Sequence, residues 1–232
     1  MTALAVFFVA LSAALFAVPA ISYAQPYIGG GIGTHNTRPA TIPDEDFVTV
    51  RKAAHRFGIC AAARHQKLAE QAVEHPFGPG LTDALRKVAT NDCLRDGALD
   101  FSPVLLRSEL FEALYAIKFG RGPSRDLSSA NPIDFAKWYP QPLTQYAANL
   151  MDFVKLGACA SRQKQVTAWK LVMSEPGSGA EIEAISELQS VLPGCLPKGQ
   201  TFKVTIDMLR GGVAEALYRL SESAPIVAAA HQ

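Results

Sequence analysis

The sequence predicts an all-α protein made of two tandem three-helix repeats, each braced by one disulfide. No stretch alternates apolar and polar residues as a half-buried strand does, and short motifs of the first half return in the second. Residues 58–61 (GICA), 93–94 (CL), 106–107 (LR) and 112–115 (EALY) recur as 157–160 (GACA), 195–196 (CL), 209–210 (LR) and 215–218 (EALY). These matches place the repeats at 44–120 and 142–221.

The first 24 residues carry no charge, are apolar from Leu4 to Ile21, and end with the small residues Ser22 and Ala24 at the two positions that an export peptidase recognises. This pattern predicts a signal peptide and a protein exported to the periplasm or secreted. An uncleaved membrane anchor fits the same stretch, and that alternative stays open. Residues 25–43, rich in glycine and proline, are expected to form a flexible tether.

Four cysteines in an exported chain favour disulfides over a metal site, because the closely spaced pairs typical of zinc ligands are absent. Of the three possible pairings, the duplication favours Cys60 with Cys93 and Cys159 with Cys195, which keeps each bridge inside one repeat. Helix lengths agree, since a helix of about 21 Å leading away from Cys60 and a return of about 18 Å to Cys93 bring the sulfurs together.

In the first repeat, apolar residues at three- and four-residue spacing predict one long helix over 44–74. A second helix over 81–91 returns toward Cys93. A third helix starts after the N-cap Ser102 and stops at Gly120. Gly58 here and Gly157 in the second repeat lie inside the long helices, where glycine is unfavourable, so each predicts the close approach of a neighbouring helix.

The second repeat follows the same plan, with a long helix over 143–174 and a last helix after Thr205. Ser178 and Glu181 match a capping box, in which each side chain accepts from the other's backbone N–H. Residues 121–141 are expected to be a linker whose Trp138 packs on a helix, and 222–232 a C-terminal tail. The last helices carry matching core stripes, Leu106, Leu110, Ala113, Leu114 and Ile117 with Leu209, Val213, Ala216, Leu217 and Leu220.

Composition argues against a nucleic-acid partner, because 22 basic and 21 acidic residues nearly cancel and no basic run occurs. No membrane span is expected after signal cleavage, and no cofactor is predicted. His55, His65 and His75 are spaced ten residues apart, so their rings point in different directions and no metal site is predicted. Ser178 lacks the Gly-x-Ser-x-Gly elbow of a nucleophile and is interpreted as a helix cap.

The candidate functional residues are polar residues that recur in both repeats: Arg107, Glu112 and Tyr115 with Arg210, Glu215 and Tyr218. If the leucine stripe faces the core of its own repeat, Glu112 and Tyr115 lie on nearly the opposite face of the helix, and Arg107 flanks the stripe. One interpretation is that this face meets the other repeat, with Arg and Glu pairing or capping and Tyr packing at the seam. The other is a groove in which two Glu and two Tyr bind a ligand.

The opening Gly-x-Cys-Ala motif, the segment 193–197 (PGCLP) and the ending 215–218 (EALY) resemble uncharacterised exported bacterial proteins that carry tandem copies of such a unit. The resemblance implies an envelope or secreted location. It supplies no activity, cofactor or catalytic residue.

We therefore expect a non-catalytic binding or interaction module whose partner is another envelope protein or a small ligand. An envelope hydrolase built around Glu112 and Glu215 would need carboxylates with strongly shifted pKa values in a water-accessible cleft. A carrier of a small apolar ligand would need a large pocket lined by Phe57, Trp169 or Leu217, and a filled seam would exclude it.

Overall fold

A computed structural model describes residues 44–94, 102–123, 125–196 and 204–226. The predicted signal peptide, the predicted tether and residues 227–232 of the predicted tail lie outside these ranges. Within them the chain forms α-helices, one 3₁₀ turn and no strand, so the all-α prediction is confirmed. The elements are α1 (Asp44–Arg64), α2 (Gln66–Val73), α3 (Leu81–Val88), the 3₁₀ turn (Asn91–Cys93), α4 (Pro103–Phe119), α5 (Phe135–Trp138), α6 (Gln145–Gln163), α7 (Gln165–Met173), α8 (Gly179–Gln189), α9 (Leu192–Cys195) and α10 (Ile206–Ser223).

Both predicted disulfides are confirmed. Cys60 on α1 bonds to Cys93 in the 3₁₀ turn, and Cys159 on α6 bonds to Cys195 at the end of α9, with Cα atoms 5.6 and 5.7 Å apart. Each bridge ties the long first helix of its half to the segment that precedes the last helix. Two disulfides indicate that the protein resides in an oxidising compartment.

Neither predicted long helix is continuous, which corrects the expected single helices over 44–74 and 143–174. Only His65 separates α1 from α2, and only Lys164 separates α6 from α7. Both residues adopt the same non-helical backbone, with φ −126° and ψ 44° at His65 and φ −135° and ψ 57° at Lys164. Each lies five residues after the first cysteine of its half. Each half therefore has more than three helices, and the duplication itself stays a prediction.

Helix starts follow the predicted caps more closely than helix ends do. The hydroxyls of Ser102 and Thr205 accept from backbone N–H groups in the first turns of α4 and α10. Ser178 caps α8 by accepting from Glu181 N at 3.2 Å. The reciprocal half of the capping box is wrong, because the Glu181 carboxylate accepts from Gly177 N at 2.7 Å instead of capping Ser178 N. The helix predicted over 81–91 corresponds to α3, which ends earlier, at Val88.

The helices α4 and α10 form the centre of the protein, and every residue from 209 to 221 of α10 is buried. A Cβ on Gly157 of α6 would collide with the backbone of Gly212 on α10, and a Cβ on Gly58 of α1 would lie 2.6 Å from Glu109 Cβ on α4. The predicted close approach at both helical glycines is therefore confirmed. Ile117 departs from the predicted core stripe, because it is 46% exposed on the last turn of α4.

The segment over 121–141 is packed against the helices rather than loose. Leu127 and Tyr139 are buried, and the ring of Trp138 lies 3.6 Å from the guanidinium carbon of Arg219 on α10, as expected for a tryptophan that packs on a helix. Among the described residues, no helix combines the length and apolarity needed to cross a bilayer.

Candidate functional site

Two arginine–glutamate pairs join α4 of the first half to α10 of the second half. Arg210 on α10 donates through Nε and Nη2 to the two carboxylate oxygens of Glu112 on α4, each at 2.7 Å. Arg107 on α4 donates through Nη2 to Glu215 Oε1 on α10 at 3.1 Å. Because the two arginines occupy matched positions, as do the two glutamates, the pairs are reciprocal. Each of the two helices contributes one arginine and one glutamate, which pair with the glutamate and the arginine of the other helix.

Each arginine also caps a carbonyl of its own half. Arg107 Nη1 donates to His75 O at 2.9 Å, and Arg210 Nη2 donates to Ser174 O at 2.7 Å. Both carbonyls follow the end of the second helix, α2 or α7. Each guanidinium thus binds a carbonyl at the end of a helix in its own half and a carboxylate in the opposite half. This combines the pairing and the capping that the sequence suggested.

The two recurring tyrosines pack at the seam with rings and polar groups of their own. Tyr218 lies edge-on to Phe111, with ring centroids 5.5 Å apart, and accepts from Lys118 Nζ at 2.6 Å. Tyr115 lies 5.5 Å from Phe119. All six candidate residues are buried, none more than 4% exposed, so they do not line an open ligand groove.

Two further residues, Arg219 and Tyr139, bind the carboxylate of Glu215. We call Arg107, Glu215, Arg219 and Tyr139 the Glu215 cluster. Arg219 Nε donates to Glu215 Oε1 at 2.8 Å, and the Tyr139 hydroxyl donates to Oε2 at 3.1 Å. Burial opposes ionisation, but Arg107 and Arg219 outweigh it and hold the pKa of Glu215 below its usual value. Arg107 Nε and Arg219 Nη1 are buried without a hydrogen-bond acceptor among the described residues, so donors are in surplus here.

The pair around Glu112 belongs to a larger set, the Glu112 cluster, formed by Arg51, His55, Glu109, Glu112, Glu181, Asp207 and Arg210. Arg51 Nη1 donates to Glu181 Oε2 at 2.9 Å, and its Nε donates to Asp207 at 2.5 Å. Arg210 Nη1 donates to Glu181 Oε1 at 3.0 Å. Four carboxylates thus face two arginines, and the formal charge without His55 is −2.

His55 enters this cluster from α1. Its Nδ1 lies 3.0 Å from Glu109 Oε2 and 3.3 Å from Glu112 Oε2. Burial disfavours the imidazolium, but the two carboxylates raise the pKa of His55 to about 9. Burial and the nearby Glu112 raise the pKa of Glu109. Arg210 holds the pKa of Glu112 below its usual value despite burial. The three side chains can therefore hold either a proton or a cation between α1 and α4.

Sequence reasoning missed the residues that enlarge the Glu112 cluster. The three histidines stay apart from one another: His65 Nε2 lies 3.2 Å from Asp92 Oδ2, and His75 Nδ1 lies 2.8 Å from Pro76 O. The search for converging histidines overlooked the pairing of one histidine with glutamates on another helix.

One signal for the cluster was present in the sequence. Glu109 occupies the position that Gly212 occupies in the second half, three residues before the recurring glutamate in each case. Gly58 and Gly157 already predicted a close helix approach, and in the second half both helices supply glycine at that contact. In the first half, Glu109 stands in place of the second of these glycines. This buried carboxylate has no counterpart in the second half, so the close helix contact that both halves share does not explain it.

The chain matches no family model, no curated protein and no solved structure. For the hydrolase, Glu112 and Glu215 lie in separate clusters and are only 2% and 4% exposed, rather than set together in an open cleft. For the carrier, Leu217 and Phe57 are buried in the hydrophobic core, at 0% and 3% exposed. A shallow cleft beside α8 and α10, lined by residues such as Ile185 and Leu209, is not lined by the residues expected of a carrier.

Proposed function

We propose that this protein is an exported, non-catalytic interaction module that binds another envelope protein through one face of α7. The two disulfides support a location in the periplasm or the extracellular space. Burial and mutual pairing of the recurring Arg and Glu residues support a structural role for them, since catalytic acids and bases must reach a substrate.

The observation that carries the proposal is an apolar stripe on the outer side of α7. Val166 and Met173 are 53% and 38% exposed, and half-buried Trp169 lies between them along the helix. Residues at this spacing share one helix face. Ile182 on α8, the helix packed against α7, is 63% exposed. Exposed apolar patches mark interaction surfaces, and tryptophan is enriched among the residues that dominate binding energy.

Charge near the stripe indicates the chemistry of the partner. Lys164, the residue before α7, and Lys170, in the last turn of α7, are both exposed. A partner helix with an apolar ridge bordered by carboxylates would bury the stripe and pair with both lysines. The stripe extends about 10 Å along α7, which two turns of a partner helix would cover.

Site-specific photocrosslinking in the native host tests this proposal. A photoreactive residue in place of Lys170 should give a discrete adduct with one envelope protein, and Val166→Glu with Met173→Glu should abolish that adduct. Ile117→Glu is the matched control, because Ile117 is exposed to a similar degree on α4, and it should leave the adduct intact. An adduct that survives the α7 changes, or no adduct from Lys170 at all, would overturn the proposal.

A further inference from the structure

His55, Glu109 and Glu112 provide the donor set of a metal site. One imidazole nitrogen and two carboxylate oxygens suit Zn²⁺ and related divalent transition metals, whereas Mg²⁺ and Ca²⁺ prefer oxygen-only sites. Ligand atoms about 2.1 Å from a zinc ion lie about 3.4 Å from one another in ideal tetrahedral geometry. The distances from His55 Nδ1 to the two carboxylates, 3.0 and 3.3 Å, are close to that spacing. All three ligand atoms lie within 4.8 Å of one another.

Helix geometry explains why these ligands converge. Glu109 and Glu112 are three residues apart on α4, so they share one face of the helix. His55 faces them from α1, and Gly58 allows α1 to approach because a Cβ there would lie only 2.6 Å from Glu109 Cβ. Carboxylates and histidines on facing helices are a common way for helical proteins to bind metal ions.

Arg210 supplies the supporting contact that such a site needs. Its two hydrogen bonds fix the orientation of the Glu112 carboxylate. Each carboxylate oxygen has two lone pairs, so Glu112 Oε2 can accept from Arg210 and still face His55. Hydrogen-bond partners of metal ligands hold those ligands in the orientation that the site needs.

The charge balance also favours a divalent cation, because a proton on His55 would still leave the Glu112 cluster with a formal charge of −1. The Glu112 cluster has a formal charge of −2 without His55, and its glutamates are almost completely buried. Buried net charge is costly unless an ion or a proton compensates it. One divalent cation would cancel the charge while His55 stays neutral. The Glu215 cluster, with a surplus of arginine nitrogens, has no such requirement.

We propose that His55 Nδ1 and one carboxylate oxygen each of Glu109 and Glu112 bind one divalent transition-metal ion of the Zn²⁺ class, which joins α1 to α4. The His55 side chain is 15% exposed, so the ion enters beside its ring, and water completes the coordination. This inference is independent of the α7 surface and of any partner.

Calorimetric titration of the full disulfide-bonded chain with Zn²⁺, and separately with Mg²⁺, tests the proposal. We expect one Zn²⁺ per chain and no comparable binding of Mg²⁺. His55→Gln and Glu109→Gln should each weaken Zn²⁺ binding by at least about tenfold, since each removes one of three ligands. His65→Gln is the matched control, because His65 faces a single exposed carboxylate, and it should leave the affinity unchanged.

Absence of stoichiometric Zn²⁺ binding to the unaltered chain, affinity retained in folded His55→Gln and Glu109→Gln, or equal loss in His65→Gln would overturn the proposal. A second measurement on the unaltered chain covers the case in which neither variant folds. In NMR spectra of the histidine side chains, Zn²⁺ should shift the imidazole resonances of His55 but not those of His65. Unshifted His55 resonances at saturating Zn²⁺ would contradict the assignment.

Discussion

The two halves of the chain share a frame but bury different charges. Each half has one internal disulfide, a bend at the same sequence position and a last helix that exchanges one Arg–Glu pair with the other half. Around that frame, the Glu215 cluster adds Arg219 and Tyr139 and has buried guanidinium nitrogens without acceptors. The Glu112 cluster instead adds three carboxylates, one histidine and Arg51.

The difference separates residues that hold the halves together from residues that need another explanation. Arg107, Arg210, Glu112 and Glu215 recur and pair with one another, and this pairing accounts for their recurrence. His55 and Glu109 recur nowhere in the second half, where Val154 and Gly212 take their positions. The features that the two halves share do not explain why His55 and Glu109 converge.

Removal of the disulfides should have the largest effect and should affect the two halves alike. The bridged cysteines are 33 and 36 residues apart, which predicts a loss of about 4 kcal/mol for each bridge in the chain-entropy model. Urea unfolding of Cys60→Ser/Cys93→Ser and of Cys159→Ser/Cys195→Ser should give similar losses. Under reductant the unaltered protein should melt at a much lower temperature, and an unchanged melt would contradict the assigned role of the bridges.

Replacement of the seam arginines should distinguish the two clusters. Arg210→Met leaves Glu112 and Glu181 short of a cation, and we expect a loss of about 3 to 5 kcal/mol. Arg107→Met should cost less, about 1 to 3 kcal/mol, because Glu215 keeps Arg219 and Tyr139. Chemical denaturation with EDTA present measures both. The exposed Arg86 pairs with Asp83 and with no other acidic residue in the part of the chain that the structure describes, so Arg86→Met is the control and should change little. A larger loss for Arg107→Met would reverse the comparison.

The residues shared by the halves were the most predictable from sequence. Cysteine spacing and the recurring motif over 112–115 predicted both bridges and a second buried face on the last helices. The bends at His65 and Lys164 were not predictable, because neither a glycine nor a proline marks them. Contacts such as Arg51 with Glu181 join residues 130 positions apart on elements that looked solvent-facing or capping. Only a three-dimensional arrangement shows that they meet.

The helical glycines test how closely the long helices must approach the central ones. Gly157→Ala directs a methyl group at the backbone of Gly212, which cannot rotate away, and Gly58→Ala directs one at Glu109. We expect losses of about 1 to 3 kcal/mol, greater for Gly157. No atom lies within 4 Å of a Cβ on Gly179, so Gly179→Ala is a matched control that should not destabilise. The melting temperatures of the three variants test this prediction. Equal melting temperatures would contradict the close approach of the helices at Gly58 and Gly157.

Acid should lower the stability that the Glu215 cluster provides, by less than the substitutions above lower the stability of the protein. Arg107 and Arg219 lower the pKa of Glu215 on folding despite burial, so its ionised form stabilises the fold above the unfolded value of about 4.3. That stabilisation is lost as the pH falls from there through the folded pKa. The difference in unfolding free energy between the unaltered chain and Glu215→Gln should therefore shrink between pH 7 and pH 3. A constant difference would show that Glu215 does not titrate as described.

The most direct test of the reciprocal seam is a double-mutant cycle on Arg210 and Glu112, measured by urea unfolding with EDTA present. The account predicts that Arg210→Met and Glu112→Gln together cost less than the sum of the single changes, with a coupling energy of about 1 to 3 kcal/mol. Additive losses would contradict it, because they would mean that the two residues do not act as a pair across the halves.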